Sequence, residues 1–496
     1  MFLEYTNYDA VGLSELIAAG EVTPRDIVEA AIARAEEVNP ALNAIIAKHY
    51  ERARRAADTG GFGGPFLGVP SLTKDLALVE GDVASFGSVF FRDFVAPVTD
   101  EYQKRFEAAG LISIGRTNSP EFGLLPTTEP VLYGPTRNPW NLEYSAAGSS
   151  GGAAAATAAG IVPLAHASDG GGSIRLPASA CGVFGLKPSR GRMPRFPVSS
   201  ADYLSLDLCV SRSVRDSAAL LDAVHGGLPG AAYPLPSPER SFRAAVNTDP
   251  GRLRVAYTTV DYRGNRVDPE CAVAVTAAAE LLEQAGHHIE EATPDVNGDA
   301  LAEAFLAVWE SLAESIFVLI LDEVGKRRSG AALKRIIGDW RTMKLLARMD
   351  KRKSGRDAFE PFTWHLANLS RHRTPAQLEA ARTELQRVSY IIGAFLGHYD
   401  VLLSPVLGSP PVALGEINQE APWDEMIEQL YEYVAFTPVA NFSGLPAMSV
   451  PTHWSEAGLP VGTHYMSRLG EEHTLLALAG QLERAVPWFA RQPPIR

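Results

Sequence analysis

Residues 145–175 read SAAGSSGGAAAATAAGIVPLAHASDGGGSIR. A run of almost pure alanine (153–159) leads into a short apolar run, GIVPLA (160–165), and then into Asp169-Gly170-Gly171-Gly172-Ser173. Helix, strand and glycine loop follow one another here at the scale of an α/β unit. The same alternation spans about 65–200, where FLGVPSL and GLISIG are further strand-length apolar runs between Gly/Ser/Pro loops. Strands interleaved with helices predict an α/β fold with a largely buried sheet. A helix of alanines predicts close packing against that sheet or against another helix.

Outward from this core the pattern is more helical. Thr23-Pro24-Arg25-Asp26 opens a helix: Thr23 suits the N-cap, Pro24 the first helical position and Asp26 the positive end of the dipole. Asn39-Pro40 is the expected stop. Residues 265–400 read mostly helical, with Thr374-Pro375 repeating the opening signal, and 401–466 return to strands and turns. Residues 326–356 hold 12 Lys/Arg against Asp339 and Asp350. A solvated helical face is the simplest reading of that charge, with a site for an acidic partner or a mobile lid as alternatives. No boundary is sharp enough to cut the chain, so 1–496 reads as one domain with a signature core at 65–200 and a helical region at 300–440.

Composition bounds the function. The chain has 496 residues, 46% hydrophobic and 21% charged, with a net charge of −13. An acidic chain lacks the basic footprint that nucleic-acid phosphates require. Cys181, Cys209 and Cys271 are far apart, form no CxxC pair and fit a reducing compartment without disulfides or structural zinc. The opening MFLEYTNYDAV has no basic-then-apolar pattern, and no apolar run approaches the ~20 residues of a membrane span. A cytoplasmic protein with no nucleic-acid partner, membrane, metal or cofactor is the expectation.

Three serines in the opening stretch compete for chemistry. Ser150 sits in a G-x-S-x-G match from Gly148 to Gly152, the spacing of a nucleophile elbow. An elbow needs an apolar strand before it, and PWNLEYSAAG is a poor one. An α/β-hydrolase-type esterase would also need a downstream histidine, and nothing distinguishes His453, His464 and His473. Ser173 follows three glycines, which let successive N–H groups converge and form an oxyanion hole beside a nucleophile; a plain turn fits the same residues. His166 is close enough in sequence to be a base, although a lone histidine after an apolar run is more often structural. Lys74 ends the mostly apolar GVPSLTK. Desolvation lowers a buried lysine's pKa, and a neutral lysine can deprotonate a serine.

Several segments in this order resemble the amidase signature family: GVPSLTKD (68–75), TNSPEFG (117–123), GPTRNPWN (134–141), the block from Gly148 to Arg192, SVRDSAALLD (213–222), NFSGLPAMSVP (441–451) and GLPVG (458–462). The resemblance covers nearly the whole chain. It implies a large central mixed, twisted β-sheet with helices on both faces. It implies a Ser–Ser–Lys triad, with Ser173 as nucleophile, Ser149 as relay after a cis Gly148–Ser149 bond, and Lys74 as base. Backbone N–H groups of Gly170, Gly171, Gly172 and Ser173 match the oxyanion hole. Ser150, Asp169 and Arg175 are expected to brace the site. Ala147 departs from the pattern, since many members carry glycine there.

TTEP (127–130), YGPTRNPWN (133–141) and AVPWFARQPP (485–494) look most like the branch that includes 6-aminohexanoate cyclic dimer hydrolases and is similar to aryl-amide and carbamate (urethane) hydrolases. The function implied is hydrolysis of a non-peptide amide or carbamate by a cytoplasmic serine amidase without cofactor. Aryl acylamidase, urethanase and esterase activities, and a homodimer, are in keeping with that resemblance. A glutaminase subunit of a tRNA-dependent amidotransferase and a non-catalytic binder on the same scaffold are the alternatives. Substrate contacts are expected from 300–440, which offers Phe305, Trp309, Phe317, Trp340, Trp364, Trp423, Tyr431, Tyr433 and Phe436; most of these are expected in the core.

Overall fold

A computed structural model describes residues 2–195, 204–327 and 359–495, with backbone alone for 316–327. Trp340, the side chain of Phe317 and all but the start of the basic 326–356 segment lie outside the described residues.

Among the described residues thirteen strands form three sheets. β1 (Ile45–Lys48), β2 (Val69–Lys74) and β3 (Leu111–Thr117) form a small sheet of order β1-β3-β2. β4 (Arg137–Asn138) and β5 (Asn141–Ser145) form a separate hairpin. The remaining strands are β6 (Leu164–Asp169), β7 (Phe184–Lys187), β8 (Leu206–Ser211), β9 (Arg254–Tyr257), β10 (His288–Glu291), β11 (Val401–Pro405), β12 (Ala447–Trp454) and β13 (Pro460–Ser467). They build one eight-stranded sheet of order β10-β9-β11-β13-β12-β7-β8-β6. It is mixed: β10, β9 and β11 run parallel, and the other pairings are antiparallel. Helices Gly151–Ala158, Arg175–Cys181, Val214–Val224, Pro269–Gln284 and Glu472–Ala485 flank it. The expected mixed α/β architecture is present.

The alanine run does what its small side chains permit. Ala153, Ala154, Ala155 and Ala156 are fully buried, and their helix packs against β6, β2 and helix Arg175–Cys181. β2 comes alongside β6, where Ser71 Oγ donates to Leu164 O at 2.9 Å. The last residue of β2, Lys74, is thereby brought to the part of β6 that holds His166 and Ser168.

Thr23 caps its helix in a reciprocal box with Asp26, and Thr374 does the same with Gln377. The first helix outlasts its expected stop, running Pro24–Leu42 through Pro40. Asn39 explains the difference: its Oδ1 accepts from Ala44 and Ile45 N–H at 2.9 and 2.7 Å, closing the turn after Leu42 rather than before Pro40. The segment before Ser150, read as a poor strand, does contain one. It pairs within its own hairpin and bridges Ala413 through Tyr144, but it does not join the central sheet, so no strand-to-helix elbow forms. Among the described residues no helix is long and apolar enough to cross a membrane.

Candidate active site

Lys74 is completely buried. Its Nζ lies 2.8 Å from Ser149 Oγ, 2.7 Å from Ser150 Oγ and 3.0 Å from Ser168 Oγ. Burial pulls its pKa down to about 7, against the Asp207 and Asp169 charges, which raise it. Three hydroxyls can solvate an amine, but none supplies the full negative charge that would lock it as ammonium. The backbone N–H of Lys74 donates to His166 Nδ1 at 3.2 Å. His166 is therefore a support for Lys74 rather than a group facing the cavity.

Ser149 follows a cis Gly148–Ser149 peptide bond and is buried. Ala147, at φ 55, occupies the left-handed region in which glycine is preferred. Ser150 caps helix Gly151–Ala158 without exposure; its Oγ donates to Ser168 O at 3.2 Å, and its N–H to Ser173 O at 3.3 Å. Ser173 itself lines the main cavity. Among the described residues its hydroxyl makes no side-chain hydrogen bond, whereas Lys74 and Ser149 are in direct contact.

The glycine loop is held from behind by a buried ion pair. Asp169 and Arg175 are both fully buried, with Arg175 Nε 2.9 Å from Asp169 Oδ2 and Nη2 2.9 Å from Oδ1. The other donors of Arg175 reach Thr437 O, His464 Nε2 and Asn441 Oδ1 at 2.9, 2.9 and 2.6 Å, so all five N–H groups are used. Burial alone would raise the Asp169 pKa; the Arg175 charge outweighs it and holds the carboxyl well below its usual range. Burial and the Arg175 charge together keep His464 far below the usual imidazole pKa, as an acceptor for that guanidinium needs.

One expected oxyanion donor is corrected. Gly172 N–H donates to Asp169 Oδ1 at 2.8 Å, because the carboxylate reaches into the loop to close it. The N–H groups of Gly170, Gly171 and Ser173 have no such partner among the described residues. Gly172, at φ 138, could not be replaced: a Cβ there would come within 2.3 Å of Thr437 Oγ1. Thr437 Oγ1 also donates to Gly171 O at 2.7 Å.

The cavity beside Ser173 encloses about 980 Å³ including its open mouth. Its walls are almost wholly apolar, with Leu125, Leu176, Phe305, Trp309, Ile427 and Phe442 prominent. Phe305 and Trp309 stack at 5.6 Å, next to Gly170 and Gly171. Asp261 and Arg263 are the charged residues at its edge. Arg263 is committed to Asp299 and Glu428 at 2.9 and 2.5 Å. Of the aromatic candidates, Phe305, Trp309 and Tyr431 line the cavity, whereas Trp364, Trp423, Tyr433 and Phe436 belong to core clusters.

Set beside known proteins, the Amidase family profile matches residues 26–476. The chain belongs to the amidase signature family. It is an enzyme that hydrolyses carbon–nitrogen bonds. This amidase is 36% identical over 502 residues to a 6-aminohexanoate-cyclic-dimer hydrolase of Paenarthrobacter ureafaciens, covering 98% of this chain and 96% of the relative. A solved structure of 6-aminohexanoate cyclic dimer hydrolase superposes with TM-score 0.86 at 34% identity, covering 99% of both chains. A bacterial aryl acylamidase of the same family gives TM-score 0.81 at 27% identity, covering 97% of both chains. The branch expected from TTEP and YGPTRNPWN is thus the one found.

Sequence reasoning missed four residues of this amidase. Ser168 and Asp207 adjoin Lys74 and His166, and Asn441 and His464 complete the Arg175 shell. Asn441 opens NFSGLPAMSVP, so its motif was visible although its role was not. Ser168 lies two positions after His166 on the same strand face, a period-2 signal. TNSPEFG also acquires a purpose. Glu121 accepts from Ser88 Oγ, Thr363 Oγ1 and Glu360 N–H at 2.6, 2.6 and 2.7 Å. This fixes the turn whose Gly123 packs against Ser149.

Proposed function

We propose that this amidase hydrolyses a neutral, non-peptide amide with an apolar acyl or aryl part, cyclic and oligomeric amides included, through an acyl-enzyme on Ser173. The observation that carries this reading is a buried lysine amine 2.8 Å from Ser149 Oγ, beside an apolar cavity into which Ser173 opens.

The hydrogen inventory supports these roles. A neutral amine has two N–H donors and one lone pair. The Ser150 hydroxyl gives its proton to Ser168 O, so it accepts from Lys74. That leaves Ser149 free to donate to the amine lone pair while taking a proton from Ser173. Ser173 Oγ attacks the carbonyl, and the N–H groups of Gly170, Gly171 and Ser173 receive the developing oxyanion, a contribution of about 3–4 kcal/mol per donor. The proton returns by the same chain to the leaving nitrogen, which departs poorly without it. Water repeats the sequence on the acyl-enzyme. Asp169 and Arg175 hold the loop and exchange no proton. Carbamates, aryl esters and anilides present the same carbonyl and fit the same cavity.

Glutamine fits this cavity poorly. Its carboxylate needs a cationic partner once desolvated, and Arg263 at the edge is already paired with two carboxylates. An elbow at Ser150 is disfavoured by its full burial and its bond to Lys74. The experiment is a screen of purified protein against a cyclic amide, an anilide, an aryl carbamate and glutamine, with Ser173→Ala as the blank. Turnover of the apolar amides is expected; turnover of glutamine alone would replace this reading with the amidotransferase one.

A further inference from the structure

We propose that Asp207 is a positioning residue for Lys74, acting through His166. The inference rests on the reading of Lys74 as the base.

Three observations support it. His166 Nδ1 faces the Lys74 backbone N–H at 3.2 Å. A backbone N–H can only donate, so Nδ1 carries the lone pair and the ring proton sits on Nε2. Nε2 lies 3.2 Å from Asp207 Oδ1, so it donates to that carboxylate. Asp207 thus selects the tautomer that lets His166 hold the Lys74 backbone. The ring cannot turn away easily: it is buried and packs against Tyr102 and Phe106 at 5.1 and 6.2 Å. Finally, Asp207 stands opposite Ser168 in the β6–β8 register, and Ser168 Oγ is itself 3.0 Å from Lys74 Nζ.

Asp207 also acts by its charge. Around Lys74 the ionisable groups are Asp207 on β8, Asp169 and His166 on β6, Arg116 on β3 and the adjacent Asp75, which Arg116 pairs. Around Asp207 they are His166, Arg195, Lys74, and Asp100 and Tyr102 at the start of helix Glu101–Ala108. Arg195 pairs Asp207 Oδ2, leaving Oδ1 for His166. A negative charge behind the amine favours its ammonium form. Removing it makes Lys74 neutral at lower pH.

The test measures the rate of Ser173 modification by a fluorophosphonate against pH, which needs no known substrate. Asp207→Asn keeps the shape and removes the charge. Its rising limb is expected at lower pH than wild type, by about half a unit or more, while Asp207→Glu stays near wild type. In protein labelled with ¹⁵N-histidine, His166, assigned by its loss in His166→Phe, is expected as the Nε2–H tautomer. Superimposable limbs for wild type and Asp207→Asn, or an Nδ1–H tautomer in the wild type, would overturn the proposal. If Asp207→Asn does not fold, the wild-type tautomer decides alone. Equal labelling of wild type and Lys74→Ala would instead sink the underlying reading of Lys74.

Discussion

Lys74 Nζ and Ser149 Oγ, both buried, meet at 2.8 Å although they lie 75 residues apart in the chain. The contact joins the end of β2 to the loop before helix Gly151–Ala158. It makes a definite prediction about pH. Burial lowers the Lys74 pKa from 10.5 to about 7, and the proposed mechanism uses the neutral amine. Activity in kcat/KM is therefore expected to rise with pH through about 7 and to level off above it. A profile flat from pH 5 to 9 would contradict this assignment.

The serines around Lys74 are expected to differ in effect. Ser168→Ala removes one hydroxyl contact at 3.0 Å and leaves the other two. A loss of about 1 kcal/mol, roughly five- to tenfold in kcat, is expected with the fold intact. Ser149→Ala breaks the proposed relay, with an expected loss of about 100- to 10,000-fold. Steady-state rates for the two variants check the order, which a purely structural role for Ser149 would not produce.

Much of this arrangement was legible in the sequence, for reasons that differ by residue. Lys74, Ser149, Ser173, Asp169 and Arg175 lie in segments whose residue order is itself distinctive, so they stand out as candidates in the sequence alone. The alanine run announced a close-packed helix because alanine has little else to offer. Asp207 and His464 were not assigned, since they lie on β8 and β13, strands that the order β13-β12-β7-β8-β6 brings into the sheet of β6, and Asn441 was not assigned because its helix, Pro438–Ser443, meets Asp169 and Arg175 only in the fold. Gly172 was assigned to the oxyanion hole because adjacent glycines look alike in sequence. Its N–H differs from its neighbours' only because Asp169 folds back onto it.

The three glycines are therefore expected to tolerate change unequally. A Cβ on Gly171 would meet Phe305 Cζ at 3.4 Å, an ordinary contact. Gly171→Ala is expected to fold normally and to lose activity towards bulky amides before small ones. Gly172→Ala needs φ 138 and a clash with Thr437, and is expected to lower the melting temperature and abolish turnover together. Thermal melts paired with rates on two amide sizes separate the two outcomes.

Arg175 is the residue whose loss should cost stability most. Its removal leaves Asp169 buried and uncompensated, an expected penalty of about 3–5 kcal/mol for Arg175→Met. The sign with pH follows from Asp169, whose pKa is lowered in the folded state. Its contribution is full above the unfolded value near 4 and is lost as pH falls through the lowered one. Denaturant midpoints at pH 7 and pH 3 check both. A midpoint for Arg175→Met equal to wild type at pH 7 would show that the ion pair does not hold the loop.

The central claim, that Ser173 is the nucleophile activated through Ser149 and Lys74, is tested most directly by locating a covalent adduct. Wild-type protein incubated with a fluorophosphonate is analysed by intact mass and peptide mapping. One adduct on Ser173 is expected, absent in Ser173→Ala and slowed about 100- to 10,000-fold in Lys74→Ala. An adduct on Ser150, or labelling of Ser173→Ala at the wild-type rate, would contradict the account.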